Sequence, residues 1–385
     1  MSASPESSRD RDAEWAARLP EIPASTGILW PSVAIGLAFV IWGLYLILTP
    51  HRTASPETNP GTAPRPQATQ AAKPSDGKVF RAGFVDSKDS SFALGMEEFA
   101  RQVNERSKGE LRVELFPGGL VDGVQMDERT LVEAVRSGSL AVGLATTSPL
   151  TNYNHLLDVF DLPFLFSDET QADSVLEGPV GETLLGCLKD KKLLGLGYME
   201  VGFRVFSSSV PLPDFASFSG KKLRVMQSVT FTRFIKAIGG DPVPSPVDKI
   251  YLMGKEGYID GADRTYPTYW DFRLYEVHRY ITETRHAYSV KMLLINEELF
   301  ATLAPEDQQI LRESAREASR LQRKKQREAD DAVKQLALKE GIKVFPIAPE
   351  ERGKFLEASK ELYDEYRRNQ SAEILDAIVK LAKVQ

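Results

Sequence analysis

Short strand patterns and amphipathic helix patterns alternate after the first 77 residues, and this alternation limits the fold more than any other feature of the sequence. The segment VFRAGFV has the pattern of a strand. The following segment places apolar residues, among them Phe92 and Phe99, on one helical face and ends at Gly109. ELRVELFPGG is a second strand pattern, and a further helix and strand lead to Thr146. Such units with short links predict an α/β fold with a mostly parallel sheet.

Two later strand patterns each contain an arginine. In GKKLRVMQS (220–228), the apolar residues alternate with Arg224, and in GFRVFSS (202–208) Arg204 lies between two apolar residues. Period-two alternation indicates a half-buried strand, on which a single arginine ordinarily faces water. Two such arginines that face one cleft would instead form a clamp for a carboxylate.

Charge and motif content exclude several function classes. The chain has 385 residues, a net charge of −6 and no block of basic residues, which argues against nucleic-acid binding. Cys187 is the single cysteine, and the four histidines follow no metal-ligand spacing. Phosphate-loop, zinc-protease, nucleophile-elbow and dinucleotide motifs do not occur. Asp260 and Asp263 belong to an Asp-Gly turn pattern, where an aspartate more often caps the backbone than takes part in acid–base catalysis. We therefore predict no enzyme activity, no cofactor and no metal.

The segment 27–49 carries no charged residue and as a helix would be about 34 Å long, enough to cross a bilayer. A cleaved signal peptide is the alternative, but the apolar run is longer than such signals have, and no small-residue cleavage site follows closely. We predict a retained transmembrane signal-anchor. More arginines precede the span than follow it, which predicts a short cytoplasmic N-terminus, 1–26, and a folded part outside the cytoplasm.

Residues 50–77 are rich in proline, threonine, alanine and serine and contain almost no large apolar side chains. Such a segment cannot bury enough surface to offset its ordering entropy. We predict a disordered tether whose ends lie about 30 Å apart on average. It would connect the anchor to a folded domain at 78–385.

One long helix is predicted between Pro305 and Gly341, because no helix breaker lies between them. Its centre, SRLQRKKQRE, is polar on nearly all sides, whereas both ends keep apolar positions. A helix of this kind can bridge two lobes. A solvated charge run or a coiled-coil arm is the alternative.

The chain from about 78 to 370 resembles the solute-binding subunits of TRAP (tripartite ATP-independent periplasmic) transporters. The stretches that carry the resemblance are, in order, FARQVNERSKGELRVELFPGG, SGSLAVGLATTSPL, VFDLPFLFSD, LEGPVG, GFRVFSSS, FSGKKLRVMQS, GYIDGADRTYP, LYEVHRYITETRHAY and LAPEDQQIL. The resemblance implies a two-lobed, periplasmic-binding-protein-like clamshell with a long helix spanning both lobes. We place lobe I at about 78–202 and 290–325, and lobe II at about 203–289 and 330–385.

The resemblance also implies roles for site residues. Arg224 matches the family arginine that forms a bidentate salt bridge with the ligand carboxylate, Arg204 matches a second family arginine, and Gln227 matches a position that supplies a polar side chain. We add Trp270 to the candidate ligand contacts.

Thr146 and Thr147 are further candidates, because they follow an apolar strand at its carboxyl end, where open α/β sheets bind ligands. A plain turn is the alternative for each.

The sequence departs from the family pattern in three places. Arg264 stands where the family commonly has an asparagine, so it either adds a third cation to the pocket or pairs with Asp263. The stretch 120–135 is a few residues longer than the usual loop. The N-terminal span replaces the cleaved signal that the family commonly has.

We therefore predict a periplasmic binding domain tethered to the inner membrane by a single-pass helix. It would capture a small organic acid through an arginine clamp and lobe closure, and deliver it to the integral membrane subunits of a TRAP transporter. The alternative from another class is a ligand sensor that docks on a signalling or assembly partner without transport.

Overall fold

The structure is a computed structural model that describes residues 77–382. The predicted N-terminus, signal-anchor and nearly all of the tether, 1–76, lie outside the described residues. Among residues 77–382, no helix is both long enough and apolar enough to cross a membrane.

The strands are short except for two. In chain order they are β1 Lys78–Gly83, β2 Leu111–Phe116, β3 Leu120–Val121, β4 Val124–Gln125, β5 Val142–Thr146, β6 Leu193–Phe203, β7 Val205–Ser208, β8 Lys222–Val225, β9 Asp241–Pro244, β10 Gly261–Arg264, β11 Tyr280–Glu283, β12 Tyr288–Asn296 and β13 Lys343–Pro346.

Several helices pack on the strand that comes next in the chain. In chain order they are α1 Ser91–Arg106, α2 Glu128–Ser137, α3 Thr147–Leu150, α4 Glu169–Leu176, α5 Pro179–Leu185, α6 Val229–Ala237, α7 Ile250–Lys255, α8 Tyr266–Asp271, α9 Glu297–Ala301, α10 Pro305–Lys339, α11 Pro349–Tyr366 and α12 Ala372–Ala382.

Two sheets define two lobes, which confirms the predicted two-lobed α/β architecture. The sheet of lobe I has the order β2-β1-β5-β12-β6, and the sheet of lobe II has the order β13-β11-β7-β10-β8-β9. β1, β2 and β5 are mutually parallel, whereas β12 runs antiparallel to both of its neighbours. In lobe II, β7 is the antiparallel strand, and β8, β9 and β10 are parallel.

Strand-to-strand connections carry the chain between the lobes at two adjacent points. β6 of lobe I leads through Arg204 directly into β7 of lobe II, and β11 returns through 284–287 to β12. Gly202, two residues before the first crossing, has a φ of 105°, a conformation that side chains with a Cβ rarely adopt. The crossing therefore places Arg204 at the junction of the two sheets.

The long helix α10 contacts both lobes, as predicted. Leu311 and Ala315 near its start belong to a core of lobe I, and Val333 and Ala337 near its end belong to a core of lobe II. These apolar ends explain why one helix packs on both sheets.

The polar centre of α10 is not a solvated segment. Gln322 is fully buried, accepts a hydrogen bond from the Glu200 amide and donates to the Glu200 carbonyl. Gln326 and Arg323 donate to the carbonyls of Val201 and Tyr198. The alternative of a solvated charge run is wrong for this face, because its polar side chains supply hydrogen-bond partners to the β6 backbone.

The C-terminal helices α11 and α12, like α10, contact both lobes. Phe355 of α11 packs edge-on against Phe215 and Phe218 of lobe II. The Tyr363 hydroxyl donates to the carbonyl of Pro163, and α12 packs against α4 of lobe I. These contacts place the C-terminal helices against both lobes.

Candidate functional site

Three arginines meet at one edge of the lobe II sheet. β8 and β10 are parallel and end at this edge, and the antiparallel strand β7 begins there. Arg224 is the second-to-last residue of β8, Arg264 is the last residue of β10 and Arg204 directly precedes β7. We call these three residues the arginine cluster. The carboxyl ends of parallel strands are where open α/β sheets bind ligands.

Arg204 is held by the protein itself. Its Nε donates to Oδ2 of Asp263 at 2.6 Å, and its Nη2 donates to the Asp263 carbonyl at 3.1 Å. Nη1 donates a longer hydrogen bond to Oγ of Ser289, at 3.4 Å. The guanidinium also lies over the ring of Phe231, 5.3 Å from its centroid. Arg204 therefore joins lobe II to β12 and fixes the position of Asp263.

Arg224 is anchored along one edge of its guanidinium. Nε donates to the Ser245 carbonyl at 2.8 Å, and Nη2 donates to the same oxygen. Nη1 lies 3.8 Å from Oδ1 of Asp263 and has no hydrogen-bond partner among the residues that the structure describes. Burial lowers the pKa of Arg224 to about 10, although the charge of Asp263 opposes that shift. The second edge of this guanidinium is therefore oriented but not hydrogen-bonded.

Arg264 is the least satisfied member of the cluster. It is only 3% exposed, and within the described part of the chain its Nε and Nη2 have no hydrogen-bond partner. Burial lowers its pKa well below the usual value, and the charges of Arg224 and Arg204 lower it further. The protein thus buries a guanidinium at a considerable electrostatic cost.

Asp263 is the carboxylate at the centre of the cluster. Burial alone would raise its pKa, but Arg204, through its charge and hydrogen bond, and Arg224, through its charge, hold the pKa at about 2. Asp263 is therefore ionised, and it supplies one negative charge against three buried cations. Such an excess of buried positive charge favours the binding of an anion.

The other predicted site residues lie around this cluster or apart from it. Gln227 is exposed and lies two residues beyond β8. Trp270 is buried in a core of lobe II and stacks on Tyr275 at 4.4 Å. The Thr146 hydroxyl donates to Glu128, and the Thr147 hydroxyl donates to the Val290 carbonyl. The structure brings Arg204, Arg224, Arg264 and Asp263 together, and it bonds both threonine hydroxyls within lobe I.

Asp161 is a buried acid that the sequence reasoning missed. Its carboxylate accepts hydrogen bonds from Ser148 of lobe I at 2.6 Å and from Ser228 of lobe II at 2.8 Å. Burial raises its pKa to about 7, and the two serines and the charge of Arg204 oppose the shift. An acid within the apolar stretch VFDLPFLF was the signal that could have found it. Asp161 joins the two lobes beside the arginine cluster.

Lys291 forms a second buried charge cluster, in lobe I. Its Nζ lies 2.7 Å from Asp86 and 3.3 Å from Glu128. Burial alone would lower the pKa of Lys291, but the two carboxylates outweigh this effect and raise it. This lysine is neutralised by the protein, so it is not a free anion site. Within residues 77–382, no group of three or more His, Cys, Asp or Glu is placed to hold a metal ion.

A cavity of about 340 Å³ lies elsewhere, between α10 and α4–α5. Arg320 and Arg323 line it, and both are paired with Glu177. This cavity therefore offers no unpaired charge, in contrast to the arginine cluster.

Comparison with known proteins gives one family. The model described as bacterial extracellular solute-binding protein, family 7, matches residues 82–369. A relative of known name is the 2,3-diketo-L-gulonate-binding periplasmic protein YiaO of Escherichia coli K12, which is 32% identical over 63% of this chain and 74% of its own length.

Solved structures agree in fold. The sugar acid binding protein DctPAm from Advenella mimigardefordensis, in complex with galactonate, has a TM-score of 0.73 and 28% identity over 80% of this chain and 98% of its own. A TRAP periplasmic solute-binding protein from Sulfitobacter, with bound β-D-galacturonate, has a TM-score of 0.72 and 28% identity over 80% and 100% of the two chains.

Proposed function

The chain belongs to bacterial extracellular solute-binding protein family 7 as a solute-binding subunit of TRAP transporters, and from this premise we propose that its buried arginine cluster captures a sugar acid by the carboxylate. Proteins of this family bind acid sugars or other carboxylates and are binding proteins, not enzymes. The observation that carries the proposal is the presence of three buried arginines around the single carboxylate of Asp263.

Arg224 is the residue we assign to the ligand carboxylate. The Ser245 carbonyl accepts from Nε and from one hydrogen of Nη2, and this leaves the Nη1–Nη2 edge with parallel donors. That edge matches the two oxygens of a carboxylate, and such bidentate pairs are the strong, geometrically specific ones. Ser245 thus serves as a positioning residue.

Arg204 and Asp263 have a supporting role in this proposal. Arg204 is hydrogen-bonded to Asp263 and Ser289. It therefore holds the Asp263 carboxylate in place and does not offer two parallel N–H groups to the ligand. Asp263 in turn offsets part of the repulsion among the arginines. Closure of the two lobes would remove water from the site and strengthen each charge-assisted hydrogen bond.

Membrane tethering and delivery complete the proposal. The uncharged segment 27–49 would keep the binding domain at the membrane, and the proline-rich segment 50–77 would let it move within reach of the TRAP membrane subunits. Tethering of this kind raises the effective concentration of the binding domain at its partner.

A thermal-shift screen of the full-length protein tests the binding proposal. Galactonate, galacturonate and gulonate are the probes, and galactose is the matched uncharged control. At a hundredfold excess over Kd, a ligand adds about 2.7 kcal/mol and should raise Tm by several degrees. At least one sugar acid should produce this shift and galactose should not. Equal behaviour of galactose and the acids would contradict the proposal.

A further inference from the structure

Arg264 is not explained by the capture of one carboxylate. The guanidinium is buried, yet Nε and Nη2 have no partner among the described residues. Arginine cannot lose its proton in a protein, so a buried guanidinium without an acceptor remains a charged and unsatisfied group. A group of this kind at a binding edge indicates a contact that the ligand makes.

The neighbouring Asp263 does not neutralise Arg264. Oδ2 of Asp263 accepts from Arg204, and Oδ1 lies 3.8 Å from Nη1 of Arg224. No hydrogen bond or ion pair joins Asp263 to Arg264 among residues 77–382, although they are adjacent in sequence.

The surroundings of Arg264 contain no other counter-charge. Asp263 is the one acid whose charge acts on it, within the described part of the chain, and Arg224 and Arg204 both oppose its charged form. The nearby His278 is buried, and its pKa is lowered to about 4 by burial and by Arg264, so this histidine is neutral. Asp161 acts on Arg204 and is hydrogen-bonded to two serines. The cluster keeps an excess of about two positive charges around Asp263.

Arg224 and Arg264 are separated along the sheet by a distance that suits two anionic groups. Arg224 lies opposite Ala262 on the adjacent parallel strand, and Arg264 is two residues further along. Strand spacing and rise place their backbones about 8 Å apart. A single carboxylate bound at Arg224 would leave Arg264 without an acceptor.

We propose that Arg264 is a specificity-determining residue that binds a second carboxylate, so that the site prefers dicarboxylic sugar acids to monocarboxylic ones. This inference rests on the proposed function. It separates this chain from the relatives solved with galactonate and galacturonate, each of which carries one carboxylate. The ligand class is an aldarate, a polyhydroxy chain with a carboxylate at each end.

Calorimetric titration of the full-length protein tests the inference with matched acids. Galactarate is compared with galactonate, and glucarate with gluconate, because both acids of each pair are acyclic and differ only at one end, which is a carboxylate in the first and a primary alcohol in the second. For at least one pair, the wild-type protein should bind the dicarboxylate at least about tenfold more tightly. If the wild-type protein prefers the monocarboxylate, or binds the two acids equally in both pairs, the inference is overturned and no variant is needed.

Two variants give a readout that a purely structural role would not change. Arg264→Gln should weaken dicarboxylate binding by about thirtyfold or more and change monocarboxylate binding less than about threefold. Arg264→Lys should retain part of the preference, because it keeps the charge. Equal weakening of both series in Arg264→Gln overturns the inference.

Failure of the proposed function gives a different result. If neither series binds the wild-type protein, the sugar-acid proposal and this inference both fall. If monocarboxylates bind and depend on Arg224 but show no dependence on Arg264, only this inference falls. Tight binding of galactose 1-phosphate in place of any dicarboxylate would also overturn it, because a phosphate ester carries its charge on one group.

Discussion

Nε of Arg204 donates to Oδ2 of Asp263 at 2.6 Å, so this carboxylate oxygen is hydrogen-bonded to Arg204 and not to Arg264, the neighbour of Asp263 in the chain. This pairing determines how the charge of the site is distributed. Arg204 and Asp263 form a buried ion pair, Arg224 lies at the margin of that pair, and Nε and Nη2 of Arg264 have no hydrogen-bond partner among residues 77–382. The same geometry makes the three arginines unequal in their expected effects on stability and binding.

Removal of the central carboxylate should be strongly destabilising. Asp263→Asn leaves three buried guanidinium groups without a counter-ion, and breaking a buried pair in this way costs about 3–5 kcal/mol. Urea unfolding at pH 7 measures the change. Asp241→Asn, at an exposed position on β9 of the same sheet, is the matched control and should change little. A loss below about 1 kcal/mol in Asp263→Asn would show that the cluster does not depend on this acid.

Removal of the Arg264 guanidinium should have the opposite effect and stabilise the ligand-free protein. Arg264→Met replaces an unpaired buried charge by an apolar side chain, which should raise the unfolding free energy of the ligand-free protein by about 1–3 kcal/mol. Arg129→Met, at an exposed position of α2, should leave it nearly unchanged. Destabilisation of the Arg264→Met protein would mean that the guanidinium contributes more to the fold than its missing hydrogen bonds indicate.

Stability should fall with rising pH because of Asp161. Its folded pKa of about 7 lies above the unfolded value of about 3.9. The native state therefore binds more protons than the unfolded state between these values, so the stability present below pH 4 is lost as pH rises towards 8.

The variant Asp161→Asn cannot ionise, so the difference in unfolding free energy between variant and wild type should change by a few kcal/mol between pH 4 and 8. The difference is the relevant quantity, because burial also raises the pKa of Glu200 and Asp330 to about 7. Asp190→Asn, at an exposed site, should retain the wild-type pH slope. Parallel pH curves for Asp161→Asn and wild type would refute the assignment.

Sequence patterns predicted the arginine-bearing strands because alternation is local. The partner of Asp263 could not be predicted in this way, since it depends on the antiparallel pairing of β7 and β10, which brings together residues far apart in the chain. Adjacent positions, Asp263 and Arg264, therefore have unlike surroundings. The strand register decides which of them receives the ion pair.

The polar centre of α10 shows another limit of pattern reasoning. A glutamine or arginine on a helix ordinarily indicates a solvent-exposed face. Gln322 and Arg323 instead donate hydrogen bonds to backbone carbonyls of β6 in the interior. Their burial follows from a tertiary contact that periodicity does not encode. Similarly, the acid Asp161 gains its role from two serines contributed by different lobes.

The N-terminal segment should retain the protein at the membrane. Expressed in full in a Gram-negative host, the chain should remain in the membrane pellet after a high-salt wash, with Met1 or Ser2 as its first residue. A variant with Leu37→Arg and Val40→Arg is the control, because each central charge costs about 2.5–3.5 kcal/mol of insertion free energy. A soluble wild-type product that begins near residue 50 would contradict the signal-anchor.

Calorimetric titration of Arg224 variants with the best sugar acid from the thermal-shift screen tests the central claim most directly. Arg224→Ala removes the only fork assigned to the ligand carboxylate, and a loss of at least about 2 kcal/mol corresponds to about thirtyfold weaker binding. Arg224→Lys should bind with intermediate affinity, and Lys222→Ala, exposed on the same strand, should bind like the wild type. Wild-type affinity in a folded Arg224→Ala protein would contradict the account.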